Sequence, residues 1–260
     1  MKRICFALLL LALLATASGE ALSPELFARR VHDEINALRG RNGLPALLWR
    51  DDLAGLALRH SRNMGEQDFF SHEDHEGLQV SQRQRKYLPE LLVAGIGENL
   101  YFIENSRMVF DPKEIARGWM NSPGHKANIL SQDFTHQGIA VYLAQDKLYT
   151  TQVLAVPVLK RLSPLPRSFA AGRSYPLEFE YLAVEPREGF NCQLGTPDPN
   201  TKVQIDLLTY TLGSMPLQPE WLGDSRLILP LEFKYGQGRY TLQLGWDGYY
   251  YDNMLEFRVE

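Results

Sequence analysis

The hydrophobic period of this chain changes once, at Leu162-Ser163-Pro164-Leu165-Pro166-Arg167. Before that stretch helical spacing is present. Phe27, Val31, Ile35 and Leu38 recur every three or four residues, forming one stripe of an amphipathic helix. After it the period is two. Leu177, Phe179 and Tyr181 alternate with Glu178 and Glu180, and the same alternation runs through Val203-Ile205-Leu207, Leu229-Leu231-Phe233 and Leu255-Phe257-Val259. One layered core does not serve both patterns. The sequence therefore predicts a helix-bearing domain over residues 23–160, a stiff Pro-rich linker over 161–167 and a small all-β domain over 168–260. Asp247-Gly248 between two β-rich runs is a hairpin signal, and the short strands suggest a β-sandwich, immunoglobulin-like by fold-level analogy alone.

The first helix starts at Ser23-Pro24 and ends at Gly40 to Gly43. Leu44 to Trp49 is a connector that buries Leu and Trp. Asp51 or Asp52 caps a second helix whose inner face holds Leu53, Ala57, His60 and Met64 and which stops near Gly65. His60 reads as a core histidine with a satisfied nitrogen. Residues 78–94 mix charge with Leu and form a helix or an irregular excursion. Gly138 to Gln145 and Leu148 to Val158 read as two strands joined at Gln145-Asp146-Lys147. Val153, Leu154 and Val156 place apolar groups on both faces, which calls for helices on both sides of the sheet.

Three separated segments carry the candidate chemistry. Asp111-Pro112 and Ser122-Pro123 each open a short helix, which sets His125 in a first helical turn. Phe69-Phe70 buries itself and presents Ser71-His72, with His75 in a wet acidic loop. Gly95 to Tyr101 reads as a Gly-rich turn delivering Glu98 and Asn99 into apolar surroundings. Two imidazoles and a carboxylate suit a divalent cation, Zn²⁺ or another, with positions left for water. Glu98 serves either as a third ligand beside His72 and His125 or as the group that orients one of them. The same three residues also make a plausible buried hydrogen-bond network. Ser71-His72 and Ser122-His125 as nucleophile pairs lack an orienting acid.

These segments resemble the CAP superfamily (cysteine-rich secretory, antigen 5, pathogenesis-related 1; the SCP domain) in its bacterial form, over roughly residues 26 to 158. The pieces come in the family's order: Asn42-Gly43-Leu44-Pro45 with Leu48-Trp49, Phe70-Ser71-His72, Gly97-Glu98-Asn99-Leu100, Trp119 to Leu130, Gly138-Ile139-Ala140-Val141 and Tyr149 to Val153. The resemblance implies an α+β chain whose first domain is a three-layer α/β/α sandwich. It also implies a cleft holding two His and two acids, which fall here on His72, Glu98 and His125. The second acid's position, third after Trp119, is Ser122, so the set is reduced to three. Asn99, Asn121 and Ser122 are the expected supporting residues of the cleft.

Met1-Lys2-Arg3, the apolar run Ile4 to Ala15 and Ala15-Thr16-Ala17 read as a secretory signal peptide over 1–17, with a cut after Ala21 as the alternative. The protein is expected outside the cytoplasm, in a periplasm or beyond it, with no transmembrane segment after cleavage. Its one remaining cysteine, Cys192, cannot form an intrachain disulfide and reads as a small buried residue. A formal net charge of −4 gives no footprint for nucleic acid. Trp221, Trp246 and Tyr249-Tyr250-Tyr251 form either a hairpin face in the core or an exposed strip for sugar rings. The functional expectation is a secreted binding protein whose His/Glu cleft takes a divalent metal, an extracellular lipid, glycan or peptide, or both. The alternatives are a metal-dependent hydrolase of envelope or peptide material and a non-catalytic protein docking through its β domain. CAP relatives are variously associated with lipid or sterol binding, metal binding and, in a few cases, proteolysis, which does not choose among these.

Overall fold

The computed structural model describes residues 14–16 and 21–260. Apart from Leu14–Thr16, the expected signal peptide lies outside the described residues. The chain forms two compact units. One takes the chain up to Tyr87 together with Ile96–Ala155, and the other takes Leu88–Gly95 with Val156–Glu260. The division passes through a strand and not through the Pro-rich stretch, because Leu92, Val158 and Leu159 belong to the second core.

In chain order the first unit contains β1 (Leu14–Thr16), β2 (Ala21–Leu22), α1 (Pro24–Arg41), β3 (Leu48–Trp49), α2 (Asp51–Gln67) and α3 (Val80–Tyr87). Then come β4 (Leu91–Glu104, from Ile96 in this unit), β5 (Val109–Phe110), α4 (Pro112–Asn121), α5 (Pro123–Ile129), β6 (His136–Ala144) and β7 (Lys147–Arg161, to Ala155 in this unit). The central sheet pairs β3 parallel to β6 and β6 antiparallel to β7, with β4 on β7. Alternation along β6 sorts the layers. Ile139 and Val141, with Leu148 and Leu154 of β7, pack in one core with Phe27, Val31 and Ile35 of α1 and Ile115, Ala116 and Trp119 of α4. Gly138, Ala140 and Tyr142 face the other way, toward α2. A Cβ on Gly138 would lie 2.1 Å from the backbone nitrogen of Ala54, so only glycine lets α2 sit this close. On the same side Met64 packs with Leu100 and Tyr149, and Ser61 donates to the Thr151 hydroxyl at 2.8 Å. The result is the three-layer α/β/α arrangement.

Local signals explain most element ends. Ser23 caps α1, its hydroxyl accepting from Leu26 N–H at 3.2 Å, and Asp111 caps α4, accepting from Lys113 N–H at 2.9 Å. Neither Asp51 nor Asp52 caps α2. The cap position is Arg50, whose side chain makes no capping hydrogen bond, and both acids lie in the first turn, where they favour the helix dipole. The stretch expected as a Gly-rich turn, Gly95 to Tyr101, is instead the middle of a long strand. Gly97 is small there because the Phe134 ring occupies the space of a side chain.

The second unit is all β: β8 (Ser174–Tyr181), β9 (Phe190–Gly195), β10 (Lys202–Gln204), β11 (Tyr210–Leu212), β12 (Ser214–Leu217), β13 (Glu220–Trp221), β14 (Arg226–Glu232), β15 (Gly238–Trp246) and β16 (Tyr249–Val259). One antiparallel sheet runs β13-β14-β8 and adds the end of β7. The other runs β12-β9-β15-β16. Phe179, Leu229 and Leu231 from the first meet Leu194, Leu242 and Phe257 from the second in one core. Asp247 and Gly248 both adopt positive φ, 49° and 86°, as a tight hairpin requires. The strand expected through Val203-Ile205-Leu207 ends at Gln204. The Asp206 carboxylate accepts the Leu208 and Thr209 N–H groups and closes a turn that leaves Leu207 and Leu208 exposed. Tyr249 and Tyr251 are also exposed. No helix among the described residues is long and apolar enough to cross a membrane.

Candidate functional site

The centre of the first unit is a carboxylate held on both oxygens. Glu98, on β4, is buried. Its Oε1 accepts from His72 Nδ1 at 2.8 Å, and its Oε2 pairs with the Arg83 guanidinium of α3. Arg83 is itself buried, and it donates to the His72 and Leu78 carbonyls at 2.8 and 2.6 Å. One arginine therefore fixes both the carboxylate and the loop bearing the imidazole. His60, buried on α2, donates from Nε2 to the Ser71 carbonyl at 2.9 Å and holds the other side of that loop. Ser71's carbonyl can only accept, so Nε2 carries the proton. Burial, the largest cause, holds His60 below its ordinary pKa.

Since His72 binds Glu98 through Nδ1, its Nε2 is the nitrogen left for another partner, and its side chain is half exposed. His125 stands in the first turn of α5. Burial, and the neighbouring His72 imidazole next, hold it below its ordinary pKa, which favours the neutral, ligating form. Two sets of side chains fix α5. Asn99 donates to the His125 carbonyl at 3.2 Å, and Asn128 donates to the Glu98 carbonyl at 3.3 Å and to Asn99 Oδ1 at 2.8 Å. From below, the buried Arg39 of α1 donates to the Ile129 and Ser131 carbonyls at 2.7 and 2.8 Å. The bond to Ile129 satisfies a carbonyl that a short helix leaves orphaned at its end.

A polar path continues inward. Asn99 donates to Gln152 at 2.8 Å, Gln152 to Gln137 at 2.6 Å, and Gln137 Nε2 lies 2.9 Å from His32 Nδ1. Gln137 and Gln152 are fully buried in the two central strands.

The structure thus brings His72 and Glu98 into direct contact and ties His125 to the residue after Glu98. Ser122 joins α4 to α5 without a side-chain cap bond, and Asn121 is the exposed last residue of α4. His75 is exposed and leans on the Phe69 ring, 4.5 Å between centroids. Among the described residues no group of three His, Cys, Asp or Glu converges as a ligand set. A cleft of about 350 Å³ on this unit is walled by His60 and Arg83, but not by His72, Glu98 or His125. Arg83, the residue on which the arrangement turns, carries no sequence signal, standing among charged neighbours on a short helix. Gln137 and Gln152 do carry one: they are polar residues in otherwise apolar strands.

Comparison with known proteins covers this same unit. Residues 32–156 match the family model described as CAP, the cysteine-rich secretory protein family. An uncharacterized membrane protein of Bacillus subtilis, YlbC, is 31% identical over 124 residues, 48% of this chain and 33% of its own length. An uncharacterized protein of the same organism, YkwD, is 27% identical over 139 residues, 54% of this chain and 51% of its own. The chain thus spans between a third and about half of these curated relatives. Among solved structures, an extracellular protein containing an SCP domain from Bacillus anthracis is 30% identical. It covers 50% of this chain and 40% of its own, with a TM-score of 0.43.

Proposed function

We propose, from the premise that residues 32–156 are a domain of the CAP superfamily, that this domain binds a divalent cation through His72 and His125. The proposal assigns Glu98 the orienting position behind His72 and not a place on the metal. The observation that carries this reading is the doubly engaged carboxylate: His72 Nδ1 on one oxygen and Arg83 on the other. A histidine held this way by a carboxylate presents its remaining nitrogen in a fixed tautomer and direction, the usual arrangement behind a metal-bound imidazole. Two imidazoles leave coordination positions for water or for a donor atom of an extracellular ligand, and Zn²⁺ would supply Lewis acidity there. The residues do the rest: Arg83 and His60 hold the His72 loop, and Asn99 and Asn128 hold the His125 helix.

Binding is favoured over hydrolysis because Glu98 is the only acid at the centre of the site among the described residues, and both its oxygens already accept hydrogen bonds. A carboxylate so engaged is a poor general base. A protein acting outside the cytoplasm fits this reading.

The test is thermal unfolding with and without added Zn²⁺. The wild type should gain several degrees at saturating metal, and the His72→Ala/His125→Ala double variant should gain nothing. Equal shifts in the two proteins would remove the metal site.

A further inference from the structure

The hairpin of β10 and β11, in the second unit, turns most of its apolar side chains outward. The two strands form a sheet of their own, with Lys202 opposite Leu212, Val203 opposite Thr211 and Gln204 opposite Tyr210. Val203 is buried, so alternation sends Lys202, Gln204, Tyr210 and Leu212 to the solvent face. At the turn Leu207 and Leu208 are 97% and 92% exposed, more than any other large apolar side chain among the described residues. Ile205, Tyr210 and Leu212 are exposed too. One exposed leucine is ordinary. Five large apolar side chains gathered on one hairpin mark a surface that meets something other than water.

The turn that carries the leucines is held by its own polar groups. Asp206 Oδ1 accepts from the Leu208 and Thr209 N–H groups at 2.8 and 2.9 Å, and Oδ2 accepts from the Thr209 hydroxyl at 2.6 Å. The Thr209 carbonyl accepts from the Ile205 and Asp206 N–H groups at 3.0 and 3.3 Å. The Gln204 amide donates to the Asp206 and Thr209 carbonyls. Four backbone N–H groups and two carbonyls of the turn thus find partners within the hairpin itself. In water such economy is unnecessary, since the solvent serves as partner. A segment that enters lipid has to supply its own.

The candidates for the covering partner differ in what they need. A stable protein interface takes about 20–30 residues a side, far more than this tip offers. A polyanion needs basic residues, and residues 202–212 hold one Lys and one Asp. A lipid interface needs only a few protruding apolar side chains flanked by residues suited to the headgroup layer. Tyr210 is such a residue. Lys202, with its ammonium 5.0 Å from the Tyr210 ring centroid, can lay its stem along apolar surface and keep its charge among the headgroups.

We infer that this hairpin docks on a phospholipid bilayer by inserting Leu207 and Leu208 into its interface, with Tyr210 and Lys202 at the level of the headgroups. The surface belongs to the β unit alone and does not depend on a metal at His72 and His125.

The experiment places an environment-sensitive dye on the tip. Leu208→Cys is made in the full chain carrying Cys5→Ser and labelled with the NBD fluorophore, while the buried Cys192 stays unlabelled. With vesicles of phosphatidylcholine the emission should shift to the blue, and lipid bearing a quencher on its acyl chain should quench it. Leu207→Asp, added to the labelled chain, should weaken binding about tenfold or more, near 1.4 kcal/mol. That side chain is almost wholly exposed, and thermal melts check that the variant folds. EDTA should leave the signal unchanged, which separates this surface from the metal proposal. A dye that keeps its water spectrum among vesicles would overturn the inference. So would an undiminished signal in Leu207→Asp, a signal abolished by EDTA, or a blue shift that needs no lipid and grows with protein concentration, the mark of a second copy on the tip.

Discussion

At the scale of the residue, the Arg83–Glu98 pair has the largest consequences. Both partners are buried, so removing one leaves the other as an uncompensated charge, at a cost of about 3–5 kcal/mol. Arg83→Met and Glu98→Gln should each lower the free energy of unfolding by an amount of that order. The double variant should lose clearly less than the sum. Urea unfolding of the four proteins measures this, and strict additivity would mean the two side chains do not depend on each other. His136 supplies a pH test. It is 6% exposed, and burial, with Arg50 next, lowers its pKa from 6.5 to about 4. Between those values the unfolded chain binds a proton that the folded chain does not. Stability should therefore fall as pH drops below 6.5, by on the order of 1–3 kcal/mol, and level off below about 4. His136→Gln should flatten this dependence in urea titrations at about pH 5 and 7.5. An unchanged slope would mean that other groups, such as the half-buried His32, carry it.

At the scale of the element, α2 lies close on β6 at Gly138. A methyl group there meets backbone atoms of Leu53 and Ala54, which do not rotate away. Gly138→Ala should cost about 2 kcal/mol or more by overpacking, read from the shift in unfolding midpoint. A neutral result would show that the helix can slide outward. Element starts were legible where a side chain caps and a proline follows, as at Ser23-Pro24 and Asp111-Pro112. They were not legible at α2, where Asp51 and Asp52 look like caps but are the first two residues of the helix, just past the cap position. β4 was hidden for a different reason. Gly95 and Gly97 resemble turn residues, but Gly97 answers to the Phe134 ring, more than thirty residues later, and local pattern does not report such a partner. The turn at Asp206 was hidden by an alternation that continued beyond the strand into exposed leucines.

At the scale of the whole molecule, the change of hydrophobic period told where one architecture gives way to the other. It did not show that the division passes within β7, since that depends on which core receives Val158 and Leu159. The lone Cys192 reports on the second core. Burial pushes its thiol up to about 12, so it should stay unmodified by a thiol reagent in the native protein at neutral pH and react as the β unit unfolds. Rapid labelling of the folded chain would mean that core opens readily. His72, Glu98 and His125 were legible through their motifs, whereas Arg83 emerges only when distant segments meet. The central claim is that Glu98 orients His72 and the imidazoles alone meet the metal. A crystal structure with Zn²⁺, with the ion located by anomalous scattering, tests it most directly. The expected result is a peak bonded to His72 Nε2 and a His125 ring nitrogen, with Glu98 still paired to Arg83. A peak bonded to Glu98, or no peak near either imidazole, would contradict it.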